Sequence, residues 1–489
     1  MRNEYGISGM KVYVPRLRVQ LEDWCQWTGG TWGKVRSVVG ESFRMKAPYE
    51  SIYTMAANAV LRLLIDYDVD PARVGFLGFG TESSTDNSAG AVIVKGMVNR
   101  ALRQLGHPEL ARNCEVPEFK HACLGGVYAL KAGLRYLSHD GEGRLAIVVC
   151  GDIAEYERGS SGEPTQGAGA VAMLLSEQPT MLSLDLRRGG SASDYRGPDF
   201  RKPTRRHFME GYTEQTGKVH DFPVFSGKYS TVCYVDATVR ALEDMLGRLR
   251  VTPRNFYHGV DAVFMHRPYR RMPVNAMAAL YAWGLSHSEA HLGELGELCK
   301  GAGVELDQVK AEMASRPDLF EQVLQGRAGE DVYGNAMKAV RHFRSTEKFK
   351  EVVEQKMTLG AASMMKLGNL YSASLPAWIA GGFAEAATKD DLELEGKQVL
   401  LVGYGSGDAS EAIPATVQRG WREAASRIGF DATLEPVVDL TQAQYEQLHD
   451  TGKVDLELTP KGEFAIDRIG DRNEADFQDI GLEYYRYEP

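Results

Sequence analysis

The sequence predicts an α/β protein whose first 190 residues form a mainly parallel β-sheet covered by helices. Continuous apolar runs at 74–79 and 145–149 are typical of strands that are buried on both faces. Between these runs, the stretches 89–105 and 123–137 carry apolar residues at helical spacing. Strands that alternate with helices favour a sheet with helices packed on its faces.

Turn residues bound the other elements of this half. Pro15 ends the first strand, and Asp70-Pro71 ends the first helix. The glycine-rich segment 162–176 leads into a strand and lacks the Lys-Ser/Thr ending of a Walker phosphate loop. In chain order the sequence predicts a strand at 7–14, a helix at 49–66, a strand at 74–79, a helix at 89–105, a helix after residue 123, a strand at 145–152, a strand from the glycine-rich segment and a strand at 180–188.

The second half repeats this order of elements. Three parts are expected: 1–190, an irregular basic connection at 191–227, and 228–489. The last part is expected to contain a helix at 230–249, a strand at 260–266, a helix through residue 283, an inserted helical segment at 285–350, an apolar helix opened by 368–371, a strand at 397–402, a strand after 430, a short helix at 441–450 and an irregular acidic tail.

Composition excludes several classes of protein. With 43% hydrophobic and 25% charged residues in 489, the chain is typical of a soluble globular protein. A net charge of −10 argues against broad nucleic-acid binding. The six cysteines are scattered without a CxxC pair, so we expect neither a disulfide framework nor a metal site. No apolar run is long enough to span a membrane and the N-terminus lacks a signal peptide, so we expect a cytoplasmic protein.

Cys123 is the first candidate for chemistry, because it precedes two glycines and a helical pattern. The amides and the dipole of a helix N-terminus favour an anion, so we expect a lowered thiol pKa and a nucleophile. Gly125 and Gly126 would let a substrate approach the backbone. The alternative is a buried cysteine that acts as a small hydrophobic residue.

Other polar residues stand at strand ends or helix starts. Glu82 follows the strand at 74–79, His266 ends the strand at 260–266, Asn369 opens a helix, and Ser406 lies in a Gly-Ser-Gly turn. Singly, Glu82 reads as a loop residue and His266 as a core histidine. A thiol, a carboxylate and an imidazole at such positions make a stronger set, suited to acyl transfer followed by removal of a proton next to a thioester.

Six motifs carry a resemblance to a known family. They are Gly80-Thr81-Glu82-Ser83, Ala122-Cys123-Leu124-Gly125-Gly126, residues 162–170 (GEPTQGAGA), His266-Arg267-Pro268-Tyr269, Gly368-Asn369-Leu370-Tyr371 and Tyr404-Gly405-Ser406-Gly407. With these motifs the chain resembles the 3-hydroxy-3-methylglutaryl-coenzyme A (HMG-CoA) synthase family of the thiolase superfamily. The resemblance implies a thiolase-like αβαβα fold of five layers, with two similar halves and the helical insertion in the second. It also implies a homodimer.

The resemblance also implies roles for single residues. Cys123 would take the acetyl group of acetyl-CoA, Glu82 would move protons, and His266 with Asn369 would polarise the ketone of acetoacetyl-CoA. The amides of Cys123 and Ser406 would stabilise an oxyanion. Tyr156, Thr165, Tyr371 and Arg271 would contact substrate, and no cofactor is implied. We expect burial to raise the pKa of Glu82 towards neutrality, and a second partner to set the tautomer of His266.

Two departures and a basic cluster leave the substrate carrier open. Leu124 stands where the family has Tyr, and Arg271 where it has Lys. The cluster Arg201, Lys202, Arg205, Arg206 and His207 is either a solvated loop or a contact for phosphate. The main hypothesis is an acyltransferase that uses CoA thioesters in the mevalonate pathway. The alternatives are a polyketide β-branching synthase, which uses acyl carrier proteins, and a scaffold without activity.

Overall fold

The computed structural model describes residues 4–202, 222–224, 226–327 and 331–489. Arg205, Arg206 and His207 of the basic cluster lie outside these ranges. Arg201 and Lys202 end the first range.

The first half carries most of the predicted elements. A capping box formed by Ser51 and Thr54 begins the helix predicted at 49–66. The predicted strand at 180–188 is only three residues long. The elements are β1 Tyr5–Tyr13, β2 Leu17–Gln20, α1 Leu21–Thr28, α2 Trp32–Val38, β3 Ser42–Met45, α3 Ile52–Asp66, β4 Val74–Gly80, α4 Gly90–Gln104, β5 Glu118–Phe119, α5 Gly125–His139, β6 Leu145–Ala154, β7 Gly167–Glu177, β8 Leu182–Leu184 and β9 Gly190–Ser193.

The second half begins with the long helix that the sequence predicts. Its elements are α6 Lys228–Leu249, α7 Pro253–Gly259, β10 Ala262–Met265, α8 Arg271–Ser286, α9 Leu292–Ala302, α10 Leu306–Ala314, α11 Leu319–Leu324, α12 Gly334–Phe343, α13 Glu347–Val352, α14 Ala361–Met364, α15 Ser374–Ala387, β11 Gln398–Gly405, β12 Ala409–Val417, α16 Trp421–Ser426, α17 Phe430–Thr433, β13 Val438–Asp439, α18 Gln442–Thr451, β14 Glu463–Ile469, β15 Asn473–Glu474, β16 Phe477–Gln478 and β17 Glu483–Glu488.

The strands of both halves join in one mixed sheet. Its order is β10-β11-β12-β8-β1-β7-β6-β4-β5, and β9 pairs with β12. The prediction of a mainly parallel sheet is wrong, because six of the nine strand pairs in this sheet are antiparallel: β1 with β7 and β8, β6 with β7, and β12 with β8, β9 and β11. The parallel pairs are β4 with β5 and β6, and β10 with β11. No long helix separates β6 from β7, and a tight turn separates β11 from β12, so the chain returns antiparallel in both places.

Helices and strands alternate in layers around helix α5. Helix α3 packs on β1, β6 and β7, and α5 packs on the other face of β4 and β6. Leu124 and Val127, at the start of α5, also face Gly403 of β11, so α5 lies between the two halves. Helix α15 packs on β10, β11 and β1, while α6 covers β9, β11 and β12. This is the thiolase-like layering that the resemblance implies.

The peripheral segments differ more from the predictions. The segment 285–350 is helical as expected, and α9, α10 and α12 pack against one another and on α8. The acidic tail is not irregular, because β14 and β17 form an antiparallel hairpin that packs on α3. In the small sheet of β13, β2 and β3, only β13 was among the predicted elements, as the strand after residue 430. None of the described helices is long and apolar enough to cross a membrane.

Candidate active site

Cys123 lies one residue before the N-cap of α5, as predicted, and is 7% exposed. Ala122 has a φ of +44°, so the chain turns sharply before the thiol. The prediction that Gly125 and Gly126 make room for substrate is wrong. A Cβ on Gly126 would lie 2.5 Å from Cys150 Sγ, and one on Gly125 would lie 2.7 Å from the Phe119 carbonyl. The two glycines therefore allow α5 to pack closely against neighbouring protein atoms.

Glu82 follows β4 and contacts the thiol directly. The Sγ of Cys123 donates a hydrogen bond to Glu82 Oε2 at 3.0 Å. Burial raises the pKa of Glu82 from its ordinary value of 4.5 to about 8, which confirms the expected direction. The hydrogen bond from Cys123 opposes this rise, whereas the charge of Asp152 adds to it.

The pKa of the Cys123 thiol differs from the expected one. Burial and the neighbouring Glu82 raise the pKa of Cys123 well above its ordinary value. The prediction of a lowered thiol pKa is therefore wrong, because desolvation and a nearby carboxylate outweigh the dipole of α5. The resting thiol is neutral and needs a base at the moment of reaction.

Asp152, at the end of β6, fixes the turn that carries Glu82. Its Oδ1 accepts hydrogen bonds from the amides of Glu82 and Ser83 at 2.8 Å and from the hydroxyls of Thr81 at 2.9 Å and Ser83 at 2.7 Å. Its Oδ2 accepts from the Ser372 amide at 3.0 Å and from the Ser372 hydroxyl. One buried carboxylate thus ties the Glu82 turn to the second half of the chain.

His266 follows β10 and is 2% exposed. Its amide donates to the Val402 carbonyl at 2.7 Å, and the hydroxyl of Tyr234 donates to its own carbonyl at 2.7 Å. Burial lowers the pKa of His266 to about 3, so the imidazole is neutral at physiological pH. Nδ1 has no hydrogen-bond partner within the described ranges, so the expected second partner of the ring is not found.

Asn369 is held in one amide orientation. Its Oδ1 accepts from the Tyr371 amide at 2.9 Å and from the Ser374 hydroxyl at 3.1 Å. The Nδ2 is left as the donor on the other side, 3.4 Å from the hydroxyl of Tyr156. The apolar helix does not open at this residue as predicted, because a short 3₁₀ turn at Tyr371–Ala373 precedes α15.

These residues meet at one cavity, which opens to the solvent. Of the predicted site residues, the cavity is lined by Cys123, Tyr156, Thr165, His266, Asn369 and Ser406. Glu82 is not part of this lining and reaches the site through its bond to Cys123. Tyr371 packs around the thiol in a cluster with Tyr156 and Phe200. Arg271, the first residue of α8, lies outside the lining, although its neighbours Tyr269 and Met272 belong to it.

Sequence reasoning missed an acidic pair beside this cavity. Asp199 lines the cavity, and the Tyr404 hydroxyl lies 2.7 Å from Asp199 Oδ2 and 3.0 Å from Asp408 Oδ1. Burial and the nearby Asp199 raise the pKa of Asp408 to about 8. Arg196 is ion-paired with Asp408 and with Asp236. The Tyr404 motif ends one residue before Asp408 and contains neither carboxylate, and Asp199 lies in the segment that is expected to be an irregular connection.

Two family models cover most of the chain. The model described as hydroxymethylglutaryl-coenzyme A synthase N terminal matches residues 1–179, and the model of the C terminal part matches residues 217–450. The chain belongs to the HMG-CoA synthase family.

Relatives of this family match over most of their length. The hydroxymethylglutaryl-CoA synthase of Haloferax volcanii is 27% identical over 445 residues, which is 88% of each chain. That of Saccharomyces cerevisiae is 25% identical and covers 94% of this chain and 84% of the yeast protein.

Solved structures of the family share the fold. MvaS in complex with 3-hydroxy-3-methylglutaryl coenzyme A is 25% identical, with a TM-score of 0.75 and full coverage of both chains. The HMG synthase of the curacin biosynthetic pathway, in complex with holo donor-ACP, is 20% identical with a TM-score of 0.68, and it covers 99% of this chain and 100% of that one. At that identity the second likeness concerns the fold alone.

Proposed function

We propose that this protein is an acyltransferase that condenses acetyl-CoA with acetoacetyl-CoA and releases HMG-CoA and CoA, as in the mevalonate pathway. The observation that carries the proposal is the hydrogen bond from Cys123 to Glu82 at the wall of a cavity that also holds a neutral His266 and the Asn369 amide. A thiol, a carboxylate of raised pKa and two uncharged donors are the groups that such a condensation needs. The relatives named hydroxymethylglutaryl-CoA synthase support the same reaction.

The first step acetylates the enzyme. Because the pKa of the thiol is raised, a base must remove its proton, and Glu82 Oε2 lies 3.0 Å from the sulfur. The thiolate attacks the acetyl carbonyl, and the bond to the CoA sulfur breaks. Glu82 returns its proton to the CoA thiolate, so the step ends with acetyl-Cys123, free CoA and an ionised Glu82.

The second step forms the carbon–carbon bond. Glu82 removes a proton from the acetyl methyl, and the resulting carbanion attacks the ketone of acetoacetyl-CoA. Neutral His266 and the Asn369 Nδ2 donate hydrogen bonds to the ketone oxygen, and Glu82 protonates the new alkoxide. With a pKa of about 3, His266 acts as a hydrogen-bond donor and not as a proton source.

The third step releases the product. Glu82 takes a proton from the water that attacks the thioester on Cys123, the bond to the sulfur breaks, and Glu82 passes the proton to the departing thiolate, so that a free carboxylic acid forms and ionises and the Cys123 thiol is restored. We assign the stabilisation of the thioester oxyanion to the amides of Cys123 and Ser406, since both residues line the cavity. Acid–base and nucleophilic groups supply each step, so we propose that no cofactor or metal takes part.

The nature of the substrate carrier is the finer part of this proposal. We favour free CoA thioesters, because the structural relative at 25% identity is complexed with HMG-CoA and the curated relatives carry the CoA synthase name. Polyketide β-branching with an acyl carrier protein is the alternative. We further propose a cytoplasmic homodimer, for which the family resemblance is the support.

The deciding experiment compares two acceptors under equal conditions. Acetyl-enzyme is mixed with acetoacetyl-CoA or with a carrier-bound β-ketoacyl group, and product formation is measured. Faster turnover of acetoacetyl-CoA is expected, and a strong preference for the carrier would favour the alternative. A chain that forms no labelled acetyl-Cys123 from acetyl-CoA or from an acetylated carrier protein would instead be a silent scaffold.

A further inference from the structure

Another cavity is formed by residues of the helices α5 and α6 and of the strands β9 and β12. It has a volume of about 250 Å³, and a single water needs only roughly 10–15 Å³. Its wall contains Lys131, Arg135, Leu186, Gly189, Ser191, Arg248, Glu411 and Ile413. None of these residues lines the cavity beside Cys123. Arg135 lies roughly 15 Å along α5 from Gly125, the first residue of the helix, at a rise of about 1.5 Å per residue.

The wall of this cavity carries three cationic side chains and one carboxylate. The carboxylate, Glu411, is 4% exposed and is already paired. Its Oε2 accepts hydrogen bonds from Lys131 Nζ at 2.5 Å and from the Ser191 hydroxyl at 2.8 Å. Lys131 is itself only 9% exposed. Because this buried ion pair is neutral as a unit, the net charge of the wall is that of the two arginines.

The two arginines are not equally engaged. Arg248 donates to Asp244 at 2.9 and 3.1 Å, but Asp244 does not belong to the wall. The side chain of Arg135 makes no hydrogen bond or ion pair within the described ranges. The dipole of α6 favours a cation such as Arg248 in the last turn of that helix. Arg135 lies more than one turn before the end of α5, so a helix dipole does not account for its charge.

We propose that this cavity binds a compact oxyanion with two negative charges, of the phosphate type. A guanidinium can form two parallel hydrogen bonds to such a group, and the donors of Arg135 are free to do so. Arg248 and the remaining N–H groups of Lys131 add positive charge from α6 and from the buried side of α5. The site shares no wall residue with the catalytic cavity. The anion is therefore not a phosphate of the coenzyme, and the proposal does not rest on the condensation reaction.

The test uses thermal unfolding of the full chain in a zwitterionic buffer at about pH 8, where a phosphate group carries two charges. Inorganic phosphate and glycerol phosphate are titrated, with sodium chloride at matched ionic strength as the salt control. A ligand that binds only the folded state raises Tm in a saturable manner. We expect such a rise, with an apparent Kd that saturating CoA does not change. A tighter response to glycerol phosphate would identify an organic phosphate as the source, and a tighter response to inorganic phosphate would identify the free anion.

Substitutions assign the response to the cavity. Arg135→Gln should raise the apparent Kd about tenfold or more, because it removes a charged donor that has no other partner. Arg248→Gln should raise it less, since Asp244 already offsets part of that charge. Both arginines are exposed, so neither substitution disturbs the core. Arg187→Gln is the matched control, because Arg187 is an exposed arginine next to Leu186 but is not part of the wall. This variant should keep the wild-type Kd.

Four results would overturn the proposal. The first is a wild type without a saturable response to either phosphate compound. The second is an Arg135→Gln variant with the wild-type Kd. The third is competition between phosphate and CoA, which would place the anion at the coenzyme site. The fourth is a loss of affinity in Arg187→Gln as large as that in Arg135→Gln, which would assign the effect to general surface charge.

Discussion

Replacing Glu82 with Gln separates the chemistry of the site from its geometry. Glutamine has the same shape and its Oε1 can still accept the hydrogen bond of the Cys123 thiol, but it cannot take up a proton. The wild-type carboxyl, with a pKa of about 8, is ionised to roughly one tenth at pH 7 and to roughly nine tenths at pH 9. The rate of condensation on preformed acetyl-enzyme should therefore rise about tenfold over this range.

Acetylation of Cys123 should move the midpoint of this pH dependence upwards. The hydrogen bond from Cys123 lowers the pKa of Glu82, and the acetylated sulfur no longer has a proton to donate. The midpoint of the profile should thus lie at pH 8 or above. The assay mixes isolated acetyl-enzyme with acetoacetyl-CoA at pH values from about 6 to about 9 and follows a single turnover. Glu82→Gln should be slower by about 10²–10⁴-fold and should show no midpoint.

Glu82→Gln should slow condensation but stabilise the folded protein above neutral pH. The folded state holds the proton of Glu82 more tightly than the unfolded state, so this stabilising contribution is complete below about pH 4.5 and is lost as pH rises towards 8. At pH 7 the carboxyl is mostly protonated in the folded state and ionised in the unfolded state, and this difference removes up to about 3 kcal/mol of the stability present at low pH, or less where solvent screens the partly exposed side chain. Denaturant unfolding should find Glu82→Gln more stable than the wild type at pH 8 and equal to it near pH 4.

Two results would refute this reasoning about Glu82. One is a condensation rate that is independent of pH between 6 and 9, or that has its midpoint near the ordinary glutamate value. The other is a Glu82→Gln variant that condenses at the wild-type rate.

Three further substitutions test the other groups of the site. Cys123→Ala should form no acetyl-enzyme from labelled acetyl-CoA, and label that remains on another residue would assign the nucleophile elsewhere. His266→Ala should raise the KM for acetoacetyl-CoA and leave acetylation nearly unchanged; acceptor kinetics equal to those of the wild type would contradict its role. Asp152→Asn should lower the free energy of unfolding by about 2–4 kcal/mol, because an amide nitrogen would face the donors of Ser83 or Ser372. Unfolding of Asp152→Asn at the wild-type denaturant midpoint would show that the carboxylate does not fix the Glu82 turn.

The elements that carry the site residues could be predicted because their signals are local. The apolar run before Glu82 forms β4, and the helical spacing after Cys123 forms α5, within a residue or two of the expected bounds. Strand β12 forms a hairpin with β11 but is not among the predicted elements, because the Gly405–Gly407 turn indicates a site feature as readily as a chain reversal. The direction of strand pairing depends on contacts between distant segments, so local patterns did not reveal the mixed sheet.

The protonation states of the site residues were harder to predict than the identity of those residues. Recognisable motifs identify Glu82, Cys123 and His266 in the sequence. The pKa of Cys123, however, depends on how deeply the thiol is buried and on the carboxylate beside it. Asp199 carries no motif of its own and reaches the cavity only through the fold. The roles of Tyr371 and Arg271, neither of which lines the cavity, stay predictions, as does the division of the chain at residues 190 and 228.

The Asp152 carboxylate has a consequence for any attempt to divide this polypeptide. Its Oδ1 binds the Glu82 turn, whereas its Oδ2 binds Ser372, which lies 220 positions further along the chain. A fragment that ended near residue 190 would bury this carboxylate with the donors on one side missing. Two separately produced fragments would therefore have to reassemble before the catalytic base regained its position, so recovered activity would report on their association.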